Sequence, residues 1–493
     1  MSTGTTSYQP RDGAPLDTVA DSTTEEVAAA VAAAQGAAAT LADTAPAQRR
    51  AWLDALASAL AEHRDELADL ADRETALGLP RLRGEVERMA SQIRFYAEVA
   101  AEGDYLGVVR DSAPALVRVN RPLGPIAVFG ASNFPFGFGV LGNDTASALA
   151  AGCPVVAKAH PAHSLTCVRL EEIASTALTG AGAPRGTFGM VSGLTAGTEL
   201  VRSPGITAVG FTGSQAGGLA LWRIANEREV VIPVYAEMGT VNPVVLTPAG
   251  AAARAAEVAA GYVASFTLGS GQFCTKPGLL LAPAGAGFAD AVGEALTAAA
   301  PQPVMLTQGI AEAARTGVDA LVDAGAEVVA TAPGSGQGWS TDAVVLRAPI
   351  AAIDAGSRLV EECFGPVALV VEYASAGELR EVLGRLQGSL AGAVFTDGTP
   401  TDADAAWLVP ALAGQVGRVT VDEWPTGVAW TWAQQHGGPW PATSRPESTS
   451  VGAAALARWV RPVAYQGVAE EWLPAAGRAA NPWGVSQRVD GVR

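Results

Sequence analysis

Pro125-Ile126-Ala127-Val128-Phe129-Gly130-Ala131-Ser132-Asn133-Phe134-Pro135 is the stretch from which the fold is read. The apolar run 125–129 does not alternate with polar residues, so it reads as a strand buried on both faces. Gly130 and the Asn-Phe-Pro that follows read as the turn leaving it. Further strands are expected at 154–157, 188–191, 206–211 and 230–235, with helices between them at 143–151, 164–177, 196–202 and 214–227. Strand–helix alternation of this kind predicts an α/β fold built on a doubly wound parallel sheet. A second α/β region runs from 242 to 421, with strand candidates at 278–281, 327–330, 343–346, 367–371, 392–395 and 418–421.

Upstream the texture is helical. Ser22-Thr23-Thr24-Glu25 has the spacing of a capping box ahead of an Ala-rich run. Leu53, Leu56, Leu60, Leu67 and Leu70 recur at helical spacing until Gly78 and Pro80, which predicts a helical layer packed on another element. From Glu423 onward the chain is rich in Trp, Gly and Pro and is expected to be irregular.

The chain has 493 residues, enough for two or three domains at about 150 residues each. Lys+Arg 32 against Asp+Glu 49 leaves a net charge of −17, which repels nucleic-acid phosphates and anionic lipid. Hydrophobic residues make up 49%, so disorder is excluded; a charged fraction of only 16% suits a protein that buries surface between domains or subunits. Cys153, Cys167, Cys274 and Cys363 form no C-x-x-C, and the polar N-terminus lacks a signal-peptide core. The uncharged segment 203–222 is interrupted by Gly, Ser and Thr, unlike a membrane span. A reduced, cytoplasmic protein is expected.

P-loop, H-E-x-x-H and G-x-S-x-G patterns are absent from the sequence, and His160 and His163 lack further ligands, so no metal is expected. Gly334-Ser335-Gly336-Gln337-Gly338 reads as a surface turn. Cys274 stands out, in Gly269-Ser270-Gly271-Gln272-Phe273-Cys274-Thr275-Lys276-Pro277-Gly278. Glycines there let backbone approach a ligand closely, and Lys276 would favour a thiolate. From residue type alone, a buried structural cysteine is the commoner case. No histidine is near Cys274 in sequence, so a carboxylate would have to manage protons. Glu237, at the end of an apolar run, would gain a raised pKa if desolvated, although a strand-end Glu is more often a salt-bridge partner. The Asn133 amide could donate to a developing oxyanion; alone, it is a turn signal.

Together these segments resemble the aldehyde dehydrogenase superfamily in order, wording and spacing over nearly the whole chain. The resemblance is carried by Ser132-Asn133-Phe134-Pro135, Lys158, Gly210-Phe211-Thr212-Gly213-Ser214, Glu237-Met238-Gly239, Asn242-Pro243, Gly271-Gln272-Phe273-Cys274 and Glu361-Glu362-Cys363-Phe364-Gly365-Pro366. It implies that Cys274 attacks an aldehyde, that Asn133 and the Cys274 N–H hold the oxyanion, and that Glu237 activates water against the resulting thioester. It also implies that Glu362 and Phe364 hold the nicotinamide ribose side and Lys158 the adenosine ribose. Gly213 and Ser214 would lie under the pyrophosphate. The implied domains are 1–104 with 123–239 for the dinucleotide, 240–437 for catalysis, and 105–122 with 438–493 for an oligomerisation ribbon and C-terminal region. Residues 105–122, alternating around Val108, Leu116 and Val119, fit one strand pair of that β-ribbon, which implies a homodimer or homotetramer.

The subgroup it is most similar to comprises 2-oxoglutarate semialdehyde (2,5-dioxovalerate) dehydrogenases and related fatty-aldehyde dehydrogenases. That likeness rests on segments 158–163, 424–428, 436–444, 449–452 and 461–466. Asp422-Glu423 stands where the subgroup usually has Asn-Gly, Lys276 replaces a usual Asn, and Trp430 and Trp432 add bulk, which bears on the substrate. Pro161 occupies the place where NAD-preferring relatives carry Glu. Without that carboxylate a 2′-phosphate is not repelled, so NADP is expected, with NAD possible, although segment 192–197 lacks the Arg that NADP users often have. A semialdehyde would need a cation for its carboxylate, for which Arg445, Arg458 and Arg461 are candidates beside a plain surface role. A hydrophobic aldehyde would instead use Phe134, Phe136, Trp424, Trp430 and Trp440. CoA release of the thioester would not need Glu237, and a silent scaffold would be expected to lose Cys274 or Asn133.

Overall fold

A computed structural model describes residues 4–492. The run read first becomes the strand Ile126–Phe129, buried at every residue and central in a five-stranded parallel sheet. Across that sheet the strands lie in the order Phe188–Val191, Val155–Lys158, Ile126–Phe129, Ala208–Gly213, Val234–Met238. Strand order reverses at Ile126–Phe129, whose neighbours come later in the chain on both sides. At such a switch point the loops from the carboxyl ends of adjacent strands diverge and leave a crevice. Helices Asn143–Ala151, Ser164–Gly180, Leu194–Arg202 and Gln215–Asn226 complete the alternation.

The last strand of this sheet differs from its expected place at 230–235. Val230 and Val231 are 70% and 58% exposed, Pro233 has no N–H to give a ladder, and pairing starts only at Val234. The shift puts Glu237 inside the strand, near its carboxyl end.

The second sheet has seven strands in the order Glu327–Ala332, Ala343–Ala348, Val367–Tyr373, Leu279–Pro283, Pro243–Leu246, Ser389–Phe395, Val416–Val421. Only the edge strand Glu327–Ala332 runs antiparallel. Cys274 enters at the amino end of Leu279–Pro283, and Glu362 lies in the loop ahead of Val367–Tyr373.

The helical layer consists of Thr24–Asp43, Pro46–Glu62, Arg64–Thr75 and Leu79–Glu102. Its first capping box is Thr23 with Glu26, one residue later than read, because both registers satisfy the same spacing. Pro80 opens the fourth helix rather than closing the third, which ends at the left-handed Ala76. The polar N-terminus is a hairpin, Gly4–Gln9 with Ala14–Ala20, tied down where buried Glu74 accepts from Ser7 and from the Leu165 and Thr166 N–H groups. Its tip reaches the glycine-rich turn, where Trp339 N–H donates to the Pro10 carbonyl at 2.9 Å.

Val108–Asp111 and Leu116–Pro122 pair as expected, and Val460–Gln466 and Gln487–Val489 extend them to a four-stranded sheet. The rest of the chain beyond Glu423 is mostly irregular. Among the described residues, no helix is long and apolar enough to cross a membrane, and no cluster of three or more His, Cys, Asp or Glu is placed to hold a metal.

Candidate active site

Between the two sheets lies a cavity of about 720 Å³, a size suited to a large ligand. Asn133, Lys158, Pro161, Gly213 and Ser214 line it from the carboxyl ends of the five-stranded sheet. Cys274, Glu362 and Phe364 line it from the other side. Glu237 lies just behind, 2% exposed.

The Cys274 loop is shaped by its sequence. Gly269, Ser270 and Gly271 all have positive φ, so the chain reverses sharply after the helix Pro248–Thr267. A side chain at Gly271 would overlap the Gly365 carbonyl, so this glycine lets the two loops meet. Asn242 fixes the far side, its Nδ2 donating to the carbonyls of Cys274 at 2.8 Å and Lys276 at 3.0 Å. Asn133 donates one amide N–H to the Gln272 carbonyl at 2.7 Å, and a carboxamide has a second to give.

Lys276 does not attend the thiol. Its Nζ is buried and donates to the Cys363 and Val367 carbonyls at 2.8 and 2.7 Å, bracing the Glu362 loop. Backbone carbonyls capture the cation before it can reach Cys274. Burial instead pushes the Cys274 thiol up to about 12, with the Glu362 and Glu237 carboxylates adding to the shift. Burial also raises Glu362 to about 7, against the pull of Lys276 and Arg358. Glu237 is held well above the usual carboxylate range by burial, opposed by Arg458. One of its oxygens is buried with no partner within the protein.

The sequence reading missed one neighbour. His436 Nε2 lies 3.7 Å from Cys274 Sγ, although 162 residues separate them. Burial and the nearby Arg418, Arg88 and Arg458 lower its pKa to about 3, so the ring is neutral. Segment 442–444 covers the edge of Val234–Met238, with Met238 N–H donating to the Ala442 carbonyl at 2.8 Å. Thr449 Oγ1 and Ser450 N–H hold the His436 backbone. The only sequence signal was a histidine inside a Gly-Gly-Pro segment, without any cue to its spatial partner.

Three other expectations change. Arg458 is fully buried in an ion pair with Asp144 at 2.7 Å, whereas Arg445 pairs with exposed Glu447 and Arg461 lies exposed on a strand. None of the three has a contact with Cys274. Phe136 is in the helical-layer core, Trp424 stacks on Tyr262 and Phe395, and Trp440 is 54% exposed; only Phe134 and Trp430 stand in the apolar cluster with Phe138. Asp422 accepts from Thr396 N–H and Arg254, so it supports strand ends from outside the reacting centre.

The cavity suits a dinucleotide. Ser214 caps the helix Gln215–Asn226 by accepting from Gly217 N–H at 3.2 Å, and this helix start, with its free N–H groups, opens on the cavity. Gly239 admits the Glu362 carboxylate, which a side chain there would overlap.

A doubly wound sheet, a dinucleotide-sized cleft and a thiol at its floor define a class of cofactor-dependent, thiol-nucleophile oxidoreductases. The aldehyde dehydrogenase family model matches residues 2–439, and the chain belongs to that family. It is an NAD(P)-dependent aldehyde dehydrogenase. Its relatives include alpha-ketoglutaric semialdehyde dehydrogenase 2 of Azospirillum brasilense, 42% identical over 90% of this chain and 87% of the relative. Alpha-ketoglutaric semialdehyde dehydrogenase of Acinetobacter baylyi is 38% identical over 91% and 88%. The fold is shared with the crystal structure of aldehyde dehydrogenase C from Pseudomonas syringae in complex with NAD+ and octanal, at TM-score 0.81 and 21% identity, covering 95% and 94% of the two chains.

Proposed function

We propose that the protein oxidises 2-oxoglutarate semialdehyde to 2-oxoglutarate with NADP as the preferred cofactor. The observation that carries the substrate is the 42% and 38% identity to two alpha-ketoglutaric semialdehyde dehydrogenases over nine-tenths of the chain. Cys274 attacks the aldehyde carbon and forms a thiohemiacetal. Its thiol proton leaves to solvent as the bond forms, since neutral His436 Nε2, 3.7 Å from Sγ, is too weak a base to hold it. The free Asn133 N–H and the Cys274 N–H stabilise the oxyanion. A nicotinamide dinucleotide held by these residues would supply the hydride acceptor needed to turn the thiohemiacetal on Cys274 into a thioester. Glu237, once ionised, takes a proton from water; the water oxygen attacks the thioester, and the acid and free thiol are released. Retention of Glu237 supports release by water rather than by CoA.

Lys158 and the Gly213–Ser214 turn hold the adenosine end and pyrophosphate, while Glu362 and Phe364 hold the nicotinamide side. Pro161 beside Lys158 supports NADP: of the lining residues only Glu362 is acidic, and it belongs to the opposite end. Asp21 is also within electrostatic reach of Lys158, which moderates the preference. We assign 1–104 with 123–239 to the dinucleotide, 240–437 to catalysis and the remaining segments to a homo-oligomeric ribbon in a cytoplasmic enzyme. A hydrophobic aldehyde is the second reading, favoured by the cluster of Phe134, Phe138 and Trp430. Chromatography of reaction mixtures decides the substrate: 2-oxoglutarate should accumulate in step with NADPH. Faster turnover of octanal than of the semialdehyde would replace the reading.

A further inference from the structure

His436 links Cys274 to a small apolar cluster, its ring edge-on to Phe138 at 5.9 Å. Into this cluster the helix Leu79–Glu102 sends Arg88. Its guanidinium stacks over Trp430 at 4.6 Å and approaches Phe138 at 5.8 Å. Nη2 donates to the Val428 carbonyl at 2.6 Å, whereas Nε is buried with no partner within the protein. Burying a guanidinium N–H unpaired is unfavourable, so such a group is poised for an acceptor that the protein itself does not provide. Arg88 lies within electrostatic reach of both Cys274 and His436.

Arg81 and Arg458 likewise keep a buried, unpartnered Nη1, but the competing cations are each held by other contacts. Arg418 donates to the Pro425 and Gly427 carbonyls. Arg81 donates to the Asn133 carbonyl and is sandwiched by Phe134 and Phe273, on the oxyanion side of the site. Glu85 is the anion facing Arg81 and Arg88, so two cations meet one carboxylate. One Glu85 oxygen already accepts from the Phe136 and Gly137 N–H groups, both at 3.0 Å. Burial raises the Glu85 pKa, which weakens it further as a counter-ion.

We infer that Arg88 is the specificity-determining cation, receiving the far carboxylate of an oxo-acid semialdehyde whose aldehyde carbon is at Cys274. Five carbons in extended form span roughly 5 Å end to end, from C–C bonds of about 1.5 Å. From Cys274 the line of contacts runs through His436 and Phe138 to the guanidinium. Trp430 and Phe138 clamp the planar cation and exclude water, which strengthens its pairing. The inference rests on the proposed semialdehyde reading and adds the residue that would enforce it.

The test is the ratio of kcat/KM for 2-oxoglutarate semialdehyde to that for pentanal, its uncharged five-carbon counterpart, in wild type, Arg88→Met and Arg88→Lys. Loss of a hydrogen-bonded charge partner should lower the ratio roughly 10- to 100-fold in Arg88→Met, with Arg88→Lys between. An unchanged ratio in both variants overturns the inference, even if both rates fall, because that pattern is structural. If Arg88→Met does not fold, the Arg88→Lys ratio is read in the same way. A wild-type ratio near one would instead overturn the semialdehyde reading, before any variant is compared.

Discussion

Cys274 sits among groups that all oppose its ionisation or cannot relieve it: two buried carboxylates and a neutral imidazole. With the thiol pushed up to about 12, the free protein holds a protonated nucleophile near neutrality. Its alkylation by iodoacetamide should therefore accelerate steadily between pH 7 and 10, and a rate already flat there would contradict the assignment. In the proposed mechanism Glu237 has the opposite task, since only its ionised form can take a proton from water. Its pKa is raised well above 4.5, so thioester hydrolysis should climb with pH beyond the ordinary carboxylate range. Glu237→Gln should still give one rapid equivalent of reduced cofactor, then stall roughly 10²-fold or more below wild type; rapid-quench kinetics reads both phases. The sign for stability follows from the same shift. A raised folded pKa means that the stability contributed by the protonated carboxyl is present at low pH and lost as pH rises through that value. Glu237→Gln should therefore melt higher than wild type at pH 8, with the gap closing toward pH 4. Cys274, Glu237 and Asn133 were legible in the sequence because each stands in a motif with its own spacing. His436 was not, because contact across 162 residues is a product of folding that no local pattern carries.

At the scale of elements, glycines decide how closely two loops meet. Gly239 closes the strand bearing Glu237 and leaves room for the Glu362 carboxylate. Gly239→Ala should push that carboxylate out of the cavity and raise KM for the dinucleotide about tenfold, roughly the value of one hydrogen bond to a charged group. Cofactor titration by fluorescence checks it, and unchanged binding would remove Glu362 from the cofactor site. The strands of both sheets were readable because continuous apolar runs mark strands buried on two faces. Val230 and Val231 broke that rule: their apolar character suggested pairing, but Pro233 and exposure keep them outside the ladder. The N-terminal hairpin was missed for the converse reason. It is polar and mostly exposed, and it is fastened chiefly by buried Ser7, which meets Glu74 and Ser164. Lys276 misled because its charge suggested an electrostatic role, whereas its geometry serves two backbone carbonyls.

Across the whole molecule, the edge strand Val460–Gln466 of the four-stranded sheet leaves much of its length exposed. Edges of that kind invite pairing with another chain. Light scattering should give two or four times the 49.9 kDa of one chain, and a monomer would exclude the ribbon assignment. The family resemblance was legible from short motifs in order, and Asn133, Lys158, Gly213, Ser214, Cys274, Glu362 and Phe364 line one cavity, while Glu237 is not among its lining. At the substrate end Trp430 and segment 424–428 were read from the sequence, but Arg88 and Phe138 were not, since they come from distant segments that only the packing brings beside them. The central claim is that Cys274 oxidises an aldehyde that carries a carboxylate. The most direct measurement is reduced-cofactor production by purified protein with 2-oxoglutarate semialdehyde, long-chain aldehydes and aromatic aldehydes, beside Cys274→Ala. The account predicts the highest kcat/KM on the semialdehyde, more NADPH than NADH, and a fall of at least about 10³-fold in Cys274→Ala. Turnover that survives in Cys274→Ala, or a clear preference for the hydrophobic aldehydes, would contradict it.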